Sequence, residues 1–191
     1  MRWLTLYARS RRIPASFAAV LLCAAAVCGL VRDGGGGSGD PRLPVLVLAA
    51  GVMAVSAGFG GQDRALDRTA AIRWAPRRAA HVLLGGAVTG AALLMAQTLG
   101  ADRSALAFVV RDGAGLMGLA ALGAALWGGH YAWTLPFTWL SFAFLAPPPT
   151  STPARVASWL LLPPGTTAAT WTALVLAVTG TTAYAVAGPR R

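Results

Sequence analysis

Neither lysine nor glutamate occurs in this chain of 191 residues: all 16 basic residues are arginine and all six acidic residues are aspartate, the skew of a high-GC coding genome. Without lysine there is no Walker A lysine to hold a nucleotide phosphate and no amine for a Schiff base. Without glutamate there is no HExxH zinc-protease helix. The chain is therefore expected not to hydrolyse ATP by itself. Within the apolar runs there is neither a GxSG serine motif nor the clustered aspartates of a phosphatidyltransferase, which disfavours an intramembrane enzyme. Cysteine is scarce too, with only Cys23 and Cys28, both inside the first apolar run, so a disulfide framework is not expected. No catalytic residue, cofactor or metal-ligand set is expected.

What the chain has instead is apolar surface. It is 56% hydrophobic and 12% charged, with a mean hydropathy of +0.61, a composition suited to lipid and not to water. The net charge of +10 does not indicate nucleic acid, because the arginines fall at the ends of apolar runs and not along one polar face.

A spanning helix needs about 20 apolar residues, since the hydrocarbon layer is about 30 Å thick and each helical residue rises about 1.5 Å. Six runs approach that length, at about 13–31, 43–60, 80–99, 104–129, 133–146 and 167–187. The expected fold is an all-α polytopic bundle of about six transmembrane helices forming a single domain. The fourth and fifth runs belong to one stretch, 113–146, whose only ionisable side chains are His130 and Tyr131. Gly128-Gly129 and Pro136 supply the break for a tight hairpin. The GxGxxG pattern at Gly113 to Gly118 lacks the strand and acidic residue of a nucleotide site. Like Gly86 and Gly90 in GxxxG spacing, these glycines suit close helix packing.

Arginine placement predicts orientation, because basic short loops stay cytoplasmic. Six spans with both termini inside put 11 arginines in the cytoplasm and five outside, namely Arg32, Arg42, Arg103, Arg111 and Arg155. Four of those five have Asp33, Asp40, Asp102 or Asp112 close by, so the outer loops are nearly neutral. A multi-pass protein of the cell membrane is expected. Residues 1–12 read as a cytoplasmic interfacial segment. The outer segment 147–166 is proline-framed around Trp159 and reads as a re-entrant or interfacial hairpin.

Two places carry candidate function. In the inner loop, a helix over 63–75 puts Leu66, Ala70 and Trp74 on one stripe and turns Arg64 and Arg68 away, with Pro76 ending it. Asp63, Arg64, Leu66, Asp67, Arg68, Ala70, Arg73 and Trp74 are then either a docking surface for a partner or residues resting at lipid headgroups. The second place is Arg111-Asp112. If the fourth span starts at Gly113 the pair caps its outer end, the cheaper placement; if it starts near Ser104 two charges lie inside the membrane, at about 2.5 to 3.5 kcal/mol each. His81 and His130, at the inner ends of the third and fourth spans, are either a haem or proton-relay pair or ordinary interfacial side chains. No acidic residue accompanies them in the spans, which favours the latter.

The order of these segments resembles the permease subunit of type-two ABC exporters. Leu66-Asp67-Arg68-Thr69-Ala70-Ala71, His81-Val82-Leu83-Leu84, and Arg111-Asp112 ahead of Gly115-Leu116 and Gly118-Leu119 also resemble small membrane proteins of high-GC bacteria, over roughly residues 60 to 145. The resemblance implies a permease-like subunit, a homo- or hetero-dimer in the lipid bilayer. It would dock a separate ABC ATPase through the inner loop and export a lipophilic or amphipathic substrate. Where the family's pattern has Asn, this chain has Asp112, and it is shorter than most such permeases. The alternative is an accessory, structural or immunity membrane protein with no path of its own.

Overall fold

A computed structural model describes residues 41–60, 74–98 and 105–190. The segments expected at 1–12 and 13–31, and the inner-loop residues Asp63, Arg64, Leu66, Asp67, Arg68, Ala70 and Arg73, lie outside the described residues. Everything described is helix, turn or irregular backbone, with no strand.

The long elements are α1 (Arg42–Ser56), α2 (Trp74–Thr98), α3 (Ala105–Trp127) and α6 (Thr167–Ala187). Between α3 and α6 come α4 (Thr134–Leu145) and α5 (Thr152–Ala157). Single turns of 3-10 helix follow α1 at Ala57–Phe59, precede α4 at Gly129–Tyr131 and follow α5 at Trp159–Leu161. Four helices among the described residues are long and apolar enough to cross a membrane: Arg42–Phe59, Trp74–Met95, Leu106–Trp127 and Thr167–Ala187. These are the helices of a membrane protein.

Prolines and glycines set the limits of these helices. Pro41 and Pro44 open α1, where a missing N–H costs nothing, and the Pro41 carbonyl already accepts from Val45 N–H at 3.1 Å. α3 stops at Gly128, whose φ of 101° with ψ of 159° is a backbone conformation open essentially to glycine. The 3-10 turn that follows packs so tightly on the end of α1 that a Cβ at Gly129 would collide with the Gly60 backbone.

Three expectations are corrected here. Pro76 does not end a helix; it lies within α2, whose described part reaches back to Trp74, ahead of the expected start at Ala80. The fifth run forms only the 12 residues of α4, about 18 Å long, which does not cross a hydrocarbon layer of about 30 Å. The 3-10 turn before it and Pro147 to Pro149 after it consume the rest of the run. The third correction concerns α3, whose described part already runs from Ala105, so Arg111 and Asp112 lie within the helix and do not cap its end.

α3 is the central helix. Its window is the most buried of the four, while that of α2 is the least. Leu116, Leu119, Ala120, Ala121 and Ala124 of α3 pack with Val45, Leu48, Ala49 and Val52 of α1, Val82 and Leu93 of α2, and Ala169 and Ala173 of α6. The exposed faces of α2 and α6 carry Leu83, Leu84, Met95, Trp171, Leu174 and Val178, which suits contact with lipid.

Candidate functional site

Arg111 is the seventh residue of α3, so it lies about 8 Å along the axis from the midpoint of the span. It is 8% exposed and Asp112 is 0% exposed. Neighbouring residues on a helix point about 100° apart and do not ordinarily meet. Here the long arginine side chain folds across, and Nε donates to Asp112 Oδ1 at 2.6 Å while Nη2 donates to Oδ2 at 3.3 Å. The fork is bidentate, the geometry that best compensates two charges taken out of water. The guanidinium carbon also lies 5.9 Å from the Phe108 ring centroid, one turn back.

The remaining contacts of the guanidinium reach across the fold. Nη2 donates to Leu162 O at 2.8 Å and Nη1 to Pro163 O at 3.0 Å. Both acceptors precede a proline, which drives their backbone extended and leaves their carbonyls outside any helical ladder. Leu162 has φ −80° and ψ 143°. Pro163 O also accepts from the Thr166 hydroxyl at 2.9 Å, at the entry to α6.

The segment 147–166 is thus fixed from several sides. Ser151 accepts from Ala154 N–H and caps α5. Trp139 of α4 donates its indole N–H to Ala157 O at 2.9 Å. Trp159 and Leu160 are fully buried, and the Trp159 ring lies where a Cβ on Gly115 would be. The indole N–H of Trp159 is buried with no hydrogen-bond partner. Trp159 is therefore held by packing on α3.

The opposite end of the bundle is joined by aromatic contacts. Phe59 is fully buried, with the Tyr184 ring 5.0 Å and the His81 ring 5.7 Å from it, centroid to centroid. Tyr184 donates its hydroxyl to Phe59 O at 3.0 Å, tying α6 to the turn that ends α1. Replacing Tyr184 with Phe leaves that carbonyl without this donor. It should lower stability by about 1 kcal/mol in an unfolding titration, with the helix content retained.

His81 thus sits against Phe59, whereas His130 is exposed and its ring stands against Tyr131 at 5.1 Å. Among the described residues no group of three or more His, Cys, Asp or Glu side chains could hold a metal. Of the docking residues expected in the inner loop, Trp74 alone is described: it is half-buried, and the Arg77 guanidinium lies 5.8 Å from its ring centroid. Gly86 and Gly90 face α3, where a Cβ on each would lie 3.3 Å from Met117 and Val109.

The link between Arg111 and the carbonyls of Leu162 and Pro163 spans 51 and 52 residues of sequence. Its only signal in the sequence is the Pro163-Pro164 pair, which frees those carbonyls. Comparison with protein families, curated proteins and solved structures finds no match to this chain.

Proposed function

We propose that the protein is a permease-like membrane subunit that works with a separate ABC ATPase to export a lipophilic or amphipathic substrate. The segment 147–166 closes the outer mouth, and the Arg111–Asp112 pair is the latch that holds it. The observation that carries this reading is the bonding of a buried guanidinium, seven residues into a helix long enough to span, to the carbonyls of Leu162 and Pro163. A charge inside a span is costly, and such residues mark functional paths in membrane proteins. Here the charge grips the segment directly before the last span and not a lipid-facing surface. Because α4 and its flanking turns carry the chain from the Trp127 end of α3 back to the start of α6 without a full-length span, a topology with both termini cytoplasmic agrees with the distribution of arginines. The exposed apolar faces of α2 and α6 are the surfaces open to a second copy or a sibling subunit across a translocation path.

Affinity purification of the intact chain in mild detergent, followed by mass spectrometry, tests the proposal. An ABC ATPase is expected at near one-to-one stoichiometry. Leu66→Asp or Trp74→Asp should abolish its recovery while the membrane subunit is still extracted in normal amount. A chain recovered alone would overturn the reading in favour of an accessory, structural or immunity protein. Unchanged recovery with both variants would remove the docking surface.

A further inference from the structure

The turn that follows α6 gathers three arginines at the end of the bundle that holds Trp127. α6 gives way to Gly188, whose φ of 69° is open to glycine and turns the tail back over the bundle. A Cβ at Gly188 would lie 2.8 Å from the guanidinium of Arg78, near the start of α2, so that side chain lies against the turn and is held within the fold. Pro189 is buried. Arg190 then donates its backbone N–H to Ala124 O at 3.1 Å and its guanidinium to Leu126 O at 3.4 Å. Those carbonyls belong to the last turn of α3, where a cation is favoured. Arg77 is exposed beside Arg78.

The surroundings of these arginines have a definite chemistry. Trp127, Tyr131 and Trp133 are exposed at the same end, and such amphipathic rings sit at headgroup level in a bilayer. Deeper along α2 are the exposed apolar side chains Leu83 and Leu84, and on the last turn of α6 is Val186, 75% exposed. Among the described residues the single acidic side chain is Asp112, bound to Arg111 and about 21 Å along α3 from Leu126. Cations above, aromatic rings at their level and apolar surface below match the order of parts in an anionic lipid.

We propose that this end of the bundle binds the headgroup of an anionic phospholipid, its phosphate against Arg77 and Arg190 and its acyl chains along Leu83, Leu84 and Val186. The test is native mass spectrometry of the full chain released from nanodiscs made of equal parts phosphatidylglycerol and phosphatidylcholine. Phosphatidylglycerol should be retained about tenfold over phosphatidylcholine. Arg77→Gln should cut that preference about fivefold, the worth of one arginine near an anionic surface, while Arg77→Lys keeps it. Arg190→Gln should act in the same direction, and Arg155→Gln, at the opposite end, should leave the preference unchanged. Equal retention of the two lipids overturns the proposal, as does an Arg155→Gln loss matching that of Arg77→Gln. Displacement of the lipid by millimolar inorganic phosphate would assign the arginines to a soluble anion and overturn it as well.

Discussion

Asp112→Asn should make the bundle easier to unfold by about 3 kcal/mol, with the protein still inserted in the membrane. The substitution keeps the size of the side chain and removes one charge. The Arg111 guanidinium, 8% exposed, is then left with the carbonyls of Leu162 and Pro163 but without the carboxylate that balances it. The uncompensated charge then sits in a site from which water is largely excluded. Arg111→Met should be damaging for a second reason, because it also strips the two carbonyls of their donors.

The decisive comparison is the double variant Arg111→Met with Asp112→Leu. When both charges leave together no uncompensated ion remains, and what is lost is chiefly the link to Leu162 and Pro163, about 1 to 2 kcal/mol. The double variant should therefore be more stable than Asp112→Asn, and the losses of Arg111→Met and Asp112→Leu made singly should sum to more than the loss of the double. Unfolding titrations in a fixed detergent would measure all of these. Additivity within about 0.5 kcal/mol would show that the two side chains act independently, against the bidentate fork.

This pair also shows where the sequence runs out. The four long helices were legible because each is a run of apolar residues near bilayer length, and α1 and α6 begin and end within a residue or so of those runs. For the start of α3 the sequence offers two places, near Ser104 and at Gly113. Hydropathy alone places the cheaper boundary after Asp112, since it cannot see that the cost of two charges is offset by each other and by carbonyls more than 50 residues away. The same blindness to distant partners explains Gly115: its spacing suggested close packing, but only the fold reveals that the close neighbour is Trp159, delivered by a proline-framed hairpin. The run that became α4 failed in the opposite way. Its residues are apolar enough, yet the Gly128-Gly129 turn and the three prolines at 147 to 149 leave only 12 for the helix. Hydropathy counts residues, whereas spanning requires unbroken backbone hydrogen bonding.

The largest packing effect is expected where α3 meets α6. A Cβ on Gly118 would collide with the carbonyl of Leu176 and lie 2.6 Å from the Ala177 Cα, while a Cβ on Gly180 would collide with the carbonyl of Gly118. The obstacles are backbone atoms, so no rotamer change relieves them and the helices must move apart. In lipid there is little hydrophobic gain from helix contact, and close van der Waals packing carries the association, so a shift of the whole seam weakens every contact along it. Gly118→Ala and Gly180→Ala should each cost about 2 to 3 kcal/mol. The double variant should cost little more than either alone, because one separation accommodates both methyl groups. Gly113→Ala, on the same helix, is the contrast: its Cβ would lie 3.8 Å from Leu48, an ordinary contact, and alanine is the better helix former by up to about 1 kcal/mol. That variant should be neutral or stabilising. Equal losses at Gly113 and Gly118 would mean that the chain needs glycine in α3 for reasons of backbone flexibility, and the close seam with α6 would no longer explain them.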